Sequence, residues 1–222
     1  MVFISGFSEK EEWKIKNVWD YRTLNNKTVK DAYALPRIDE IFDCLNGAKY
    51  FSSIDMKSGY HQIEVEENHN ERTGFTVGAL GFWEYNKMPF GLSNSPTTYQ
   101  RVVEECLGDL NMKICVVYID DLIIFSRTFE EHLDNLEKVF NKLREYQLKL
   151  APEKCHFFRT KVEFLGHVVS AEGIETDPAK IDTIKNWPTP SSSEELRSFL
   201  AFAGYYRRCV KDFSRITRPL SE

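Results

Sequence analysis

Asp120 and Asp121 stand side by side within Ile114-Cys-Val-Val-Tyr-Ile-Asp-Asp-Leu-Ile-Ile-Phe125, one of the most apolar stretches of the 222-residue chain. Burying one unpartnered carboxylate is costly, and burying two neighbours is worse. The stretch therefore predicts a β-hairpin and not a single buried strand. Ile114–Ile119 ascends, Asp120-Asp121 forms the tip, and Leu122–Phe125 descends. Both flanks are β-branched or aromatic, as strands prefer. Such a tip is either an ordinary polar turn or a site for a hard divalent cation, which takes carboxylate oxygens. Asp55 closes another strand-like run, Lys49-Tyr-Phe-Ser-Ser-Ile-Asp55. If that strand pairs beside the hairpin, three carboxylates share one sheet edge. They would then bridge two metal ions ~3.5–4 Å apart, an arrangement that serves in-line displacement at phosphorus. Taken alone, Asp55 reads equally well as a surface aspartate.

The elements that must position these acids can be read from periodicity and end signals. Ile38, Ile41, Phe42 and Leu45 recur at helical spacing in Pro36–Leu45, and Asn46-Gly47 stops that helix. Tyr60–Val65 alternates apolar and polar residues as a strand would, and Lys161–Val169 reads as another. Ser95-Pro96 opens a helix to about Leu107, with Gly108 as its stop. Thr128–Tyr146 is a long amphipathic helix with Leu133, Leu136, Val139, Phe140 and Leu143 on one face. Asp177-Pro178 caps a further helix, and Ser192 with Glu195 forms a capping box beyond the linker Trp187-Pro-Thr-Pro-Ser-Ser-Ser193. These last two helices suggest a small C-terminal subdomain. The hairpin forces antiparallel pairing, so an α+β fold with helices on one side of an antiparallel sheet is the economical architecture.

Composition narrows the class. A hydrophobic content of 42% with 14% aromatics indicates a globular chain that can bury a core. No apolar run reaches the ~18–20 residues of a membrane span, and Met1–Lys10 lacks a signal-peptide pattern. No membrane partner is expected. Cys44, Cys106, Cys115, Cys155 and Cys209 are scattered and odd in number, which suits reduced core thiols of an intracellular protein. Cys155-His156 with a distant His167 is poor zinc spacing. The net charge of −5 argues mildly against nucleic acid, but its distribution softens this. From Arg197 onward six basic residues face two acids, with Phe199, Phe202, Tyr205, Tyr206 and Phe213 interleaved. That mixture suits a phosphate backbone with stacked bases, or simply an amphipathic helix with a solvated basic face.

Six segments then carry a resemblance. They are Asp20-Tyr-Arg-Thr-Leu-Asn25, Lys49–Ile63 around Ser-Ile-Asp-Met-Lys-Ser-Gly-Tyr, Met88-Pro-Phe-Gly-Leu-Ser-Asn-Ser-Pro-Thr-Thr-Tyr-Gln100, Tyr118-Ile-Asp-Asp121, Val162-Glu-Phe-Leu-Gly-His-Val-Val-Ser170 and Leu196–Arg208. In this order the chain resembles the reverse transcriptase of a gypsy-type long-terminal-repeat retrotransposon, related to retroviral polymerases. The resemblance implies a right-hand polymerase. Partial fingers would span 1–29 and 63–94, the palm 30–62 and 95–170, and a partial thumb 171–222. Asp55, Asp120 and Asp121 match the metal ligands and catalytic acids, with the Met56 carbonyl also on a metal. Two magnesium ions are implied, with manganese as the alternative. Tyr60 matches a steric gate that excludes a 2′-hydroxyl. Lys16, Tyr60, Phe90 and Gly91 match deoxynucleotide contacts. Phe164, Leu165, Gly166 and His167 match the primer grip. Arg22, Pro89, Ser95, Pro96, Arg197, Arg207 and Arg208 match nucleic-acid contacts.

The implied partners are an RNA or DNA template with its primer, deoxynucleoside triphosphates and, as a homo-oligomer, a second copy of the chain. A ribonuclease H, an integrase and a protease would accompany it in a Pol polyprotein, and the sequence reads as an excerpt of such a polyprotein. The implied location is cytoplasmic, within a virus-like particle. The chain departs from the family pattern at Ser5-Gly-Phe-Ser-Glu-Lys-Glu-Glu-Trp-Lys14, where a lysine-rich hairpin is usual. Lys16 holds a position where arginine is usual, and lysine cannot grip a phosphate through two parallel hydrogen bonds. These departures leave a second reading, a catalytically silent segment that binds nucleic acid or a partner chain.

Overall fold

The structure, a computed structural model, describes residues 19–220. In chain order its elements are α1 (Arg22–Lys27), α2 (Ile38–Cys44), β1 (Tyr50–Asp55), the short β2 (Phe75–Thr76) and β3 (Phe82–Trp83), and α3 (Ser95–Leu107). Then come β4 (Cys115–Tyr118), β5 (Asp121–Ser126), α4 (Phe129–Glu145), β6 (His156–Arg159), β7 (Lys161–Phe164), β8 (His167–Ser170) and β9 (Gly173–Thr176). Three helices follow, α5 (Pro178–Lys185), α6 (Ser193–Tyr205) and α7 (Phe213–Thr217). The fold is α+β. Its centre is an antiparallel four-stranded sheet in the order β4-β5-β1-β6, with a second sheet β7-β8-β9 beside it and β2-β3 as an isolated hairpin.

The apolar run around the two aspartates is continuous because the central sheet is covered on both faces. Successive strand side chains point to opposite sides. Cys115, Val117, Leu122 and Ile124 join α3 and α4 through Tyr99, Val103, Leu107, Leu136, Val139 and Leu143. Val116, Ile123 and Phe125 join Ile41, Phe42 and Leu45 of α2, and Val162, Phe164 and Val169 of the second sheet. The expectation of helices on one side is thereby corrected. One face takes two helices, and the other takes one helix and a small sheet.

Local end signals act as expected at several points. Pro96 lies in the first turn of α3, and Gly108, at φ 50°, ends it. The Thr128 hydroxyl accepts from the Glu131 amide at the start of α4, and the Asp177 carboxylate from the Ala179 amide at the start of α5. At α6 the Ser192 hydroxyl accepts from the Glu195 amide, while the Glu195 carboxylate accepts from the Ser191 amide and hydroxyl. Cys106 and Cys115 are core thiols, but Cys209 is exposed.

Three sequence expectations shift. The hairpin tip is Ile119-Asp120, since Tyr118 pairs with Asp121 and Asp121 opens β5. Gly59–Gln62 forms a 3₁₀ turn where a strand was expected, because Ser58 enters the left-handed region at φ 49° and turns Tyr60 inward. Lys161–Val169 is broken at Leu165-Gly166 into the hairpin β7–β8, with Phe164 opposite His167.

Candidate active site

Backbone register brings the three acids to one edge. Asp55 is the last residue of β1, and its Cα partner across the antiparallel pair is Asp121, the first residue of β5. Asp120 sits in the adjoining turn. Asp120 and Asp121 are exposed and Asp55 is half-buried, so solvent reaches the cluster although its scaffold is core. Partial burial comes first, and the charges of Asp121 and Asp55 second, in pushing the Asp120 carboxyl above the usual range. Partial burial and then Asp55 do the same to Asp121. Lys154 lies 3.5 Å from Asp55 and offsets part of the charge. Three like charges repel one another. Among the described residues no group of three or more His, Cys, Asp or Glu side chains closes into a metal cage.

The turn that carries Asp120 is strained. Ile119 adopts φ 55°, a region that a β-branched side chain enters only at a cost of about 1–3 kcal/mol. Gln100, fully buried on α3, holds it there. Its amide nitrogen donates to Val117 O (3.0 Å) and to Glu104 Oε1 (2.6 Å), while its Oε1 accepts from the Ile119 amide (2.5 Å). No role for Gln100 follows from its type alone. Its signal in the sequence is a polar amide on the apolar stripe Gln100, Val103, Leu107.

Met56 faces Leu150 across an isolated antiparallel bridge, flanked by Lys57 N to Lys149 O and Ala151 N to Asp55 O, each 2.9 Å. In that arrangement the backbone groups of Met56 itself point away from Leu150. Tyr60 is buried, with its ring against Phe90 (5.0 Å between centroids) and edge-on to Tyr99 (5.4 Å). Burial, and next the Asp120 charge, push its phenol up to about 12. The segment 88–93 is clamped from two sides. The Asn25 side chain donates to Gly91 O and accepts from Ser93 N, each at 2.8 Å, and the Ser95 hydroxyl donates to Pro89 O at 3.2 Å.

Several matched residues have other occupations. Ser95 is buried and serves the Pro89 turn, so it offers no surface to a nucleic acid. Pro89 is buried too, while Pro96 is half-buried. Phe164 and His167, each 3% exposed, close the β7–β8 hairpin inward, with the His167 ring edge-on to Phe42. Only Leu165 and Gly166 remain accessible at that tip. Arg207 pairs with Asp39 (3.2 Å), and Arg208 with Asp39 (3.2 Å) and Asp43 (2.8 Å) of α2, so both guanidiniums tie the C-terminal segment to the core. Arg22 forks onto Asp20 at 2.6–3.0 Å. Arg197 is exposed on α6. Lys16 lies outside the described residues.

With this geometry in place, comparison decides the family. The family described as reverse transcriptase (RNA-dependent DNA polymerase) matches residues 9–169. The chain belongs to that family. It is similar to the retrovirus-related Pol polyprotein from transposon 297 of Drosophila melanogaster, 42% identical over 94% of this chain and 20% of that protein. The corresponding polyprotein from transposon gypsy, of the same organism, is 41% identical over 92% of this chain and 20% of its own length. The chain thus spans about a fifth of these relatives. A solved foamy viral protease-reverse transcriptase in complex with an RNA/DNA hybrid superposes with a TM-score of 0.75 at 29% identity, covering 92% of this chain and 27% of that one.

Proposed function

We propose that this chain is the polymerase core of a retroelement, extending a primer 3′ end with deoxynucleotides on an RNA or DNA template. The observation that carries the reading is the register of three carboxylates from neighbouring strands, Asp55 opposite Asp121 with Asp120 in the adjoining turn. They are hard oxygen donors whose mutual repulsion Lys154 only partly offsets, which fits magnesium or manganese as the counter-charge. These three carboxylates and the Met56 carbonyl would hold a pair of such ions. When bound, the ions supply charge neutralisation at the transferring phosphate and acidify the attacking hydroxyl.

The remaining work belongs to the chain. Tyr60 presents a buried ring next to the acidic edge, where it would lie under the incoming sugar and leave no room for a 2′-hydroxyl. Phe90 packs on that ring and, with Gly91, would shape the nucleotide pocket. Leu165 and Gly166 would present the primer end. Arg197 and Lys16 supply cations for the phosphates, and their contribution would make binding salt-sensitive. In this reading 30–62 and 95–170 are palm, 1–29 and 63–94 fingers, and 171–222 thumb. The hybrid held by the foamy viral relative supports an RNA template. The parent molecule would be a Pol polyprotein with protease, ribonuclease H and integrase, acting in a cytoplasmic particle.

Primer extension on an RNA template with magnesium tests this, with wild type beside Asp120→Asn. The expected result is extension by wild type and a loss of about a thousandfold or more in the variant. Equal extension by both would remove the catalytic assignment. Duplex binding without extension in either would identify a silent nucleic-acid-binding segment.

A further inference from the structure

Tyr99 lies beneath the proposed gate, on α3, and is 1% exposed. Its ring meets Tyr60 edge-on, with centroids 5.4 Å apart and planes at 76°. Its hydroxyl end fills the space next to Gly59. A Cβ on residue 59 would stand 2.7 Å from both the Cζ and the hydroxyl oxygen of Tyr99, a separation that real side chains do not tolerate. Gly59 is not among the glycines with positive φ, so the ring, and not the backbone conformation, demands glycine there. Tyr99 therefore contacts two consecutive residues of the turn that aims Tyr60. Among the described residues its buried hydroxyl meets no hydrogen-bond partner. The contacts that place it are those of the ring, against Gly59 and against Tyr60.

We infer that Tyr99 is a positioning residue for sugar selection: its ring sets the height of Tyr60 and so the room left at the 2′ position of the incoming nucleotide. This rests on the polymerase reading and on Tyr60 as its gate. Rings in contact at van der Waals distance transmit displacement directly, because a packed interior has no slack to absorb it. Removing the Tyr99 ring lets Tyr60 sink, and the excluded volume above it opens. Tyr99→Phe keeps the ring edge, whose Cζ and Cε2 stand 2.7 and 2.8 Å from a Cβ built on Gly59, and removes only the hydroxyl.

The test is the ratio of kcat/KM for deoxynucleotide over ribonucleotide in primer extension. It is measured for wild type, Tyr60→Ala, Tyr99→Leu, Tyr99→Phe, Gly59→Ala and the double variant Gly59→Ala with Tyr99→Leu. Tyr99→Leu is expected to lower the ratio about tenfold, within the range one altered apolar contact controls. Tyr99→Phe is expected to match wild type. Gly59→Ala disturbs the same contact without opening a cavity, so it remains informative if the leucine variant does not fold. It is expected to shift the ratio several-fold, and the double variant to recover part of that shift, because the smaller side chain admits the added methyl. Unchanged ratios in folded Tyr99→Leu and Gly59→Ala, with Tyr60→Ala relaxed, overturn the inference and leave the gate standing. An unchanged ratio in Tyr60→Ala overturns both.

Discussion

Two tight turns in this molecule pose the same backbone problem and solve it with different materials. Tyr118–Asp121 carries Ile119 at φ 55°, and Phe164–His167 carries Leu165 at φ 47° followed by Gly166 at φ 67°. The first has positive φ at one central position, the second at both, as two-residue hairpin loops require. In each, a bulky residue sits where glycine or asparagine is preferred. In each, a helix supplies the restraint. For the acidic turn it is Gln100, fully buried and bonded to Val117 of β4 and to the turn residue Ile119. For the second it is Tyr205 of α6, exposed, whose hydroxyl donates to Leu165 O at 2.8 Å, with His167 Nδ1 also 2.8 Å from that oxygen. The lesson lies in the burial. The turn bearing Asp120 is locked from inside the core, whereas the turn matched to the primer end is held from a surface helix that itself hangs on Arg207 and Arg208. The acidic edge is fixed from the core, and the β7–β8 tip is held from the surface.

That contrast can be broken by matched substitutions. Gln100→Leu leaves the Val117 carbonyl without a partner in the core and the half-buried Ile119 amide without its restraint, and about 2–4 kcal/mol of stability is expected to go. Tyr205→Phe removes one solvent-exposed hydrogen bond and is expected to cost about 1 kcal/mol or less. Urea denaturation of the two variants measures both. Equal costs would show that the two restraints do not differ as their burial implies.

A smaller effect sharpens the electrostatic side. The Asp120 carboxyl is raised above its ordinary value, so its charge opposes folding in the metal-free chain at neutral pH. Asp120→Asn is therefore expected to melt slightly higher than wild type at pH 7. As pH falls through the raised value, the folded state takes up its proton before the unfolded state does. The gap then narrows, and it closes near the ordinary carboxylate value of 3.8. Melting curves of both proteins between pH 7 and 4, without divalent ions, report this. A gap that widens on acidification would mean that Asp120 gains from a partner in the fold.

Much of this arrangement is legible in the sequence, for identifiable reasons. The Ile114–Phe125 run and its misplaced acids announce a hairpin because charge and burial conflict. Ser95-Pro96, Gly108, Asp177-Pro178 and Ser192 with Glu195 announce helix ends because capping is local. What escapes is tertiary. The 3₁₀ turn at Tyr60 hides behind an alternating pattern, since Ser58 turns the ring inward and its packing on Tyr99 and Phe90 is tertiary. Coverage of both sheet faces cannot be read from an apolar run that says nothing of what lies above and below it. The pairing of Arg207 and Arg208 with Asp39 and Asp43 escapes too, because those partners are more than 160 positions away.

The central claim is that acids from neighbouring strands act as one cation site. Manganese titration, followed by its paramagnetic effect on water relaxation, addresses it most directly in wild type, Asp55→Asn and Asp121→Asn. The account predicts that binding weakens to a similar degree in both variants, although the substitutions sit on different strands. Wild-type affinity in Asp55→Asn beside lost affinity in Asp121→Asn would contradict it.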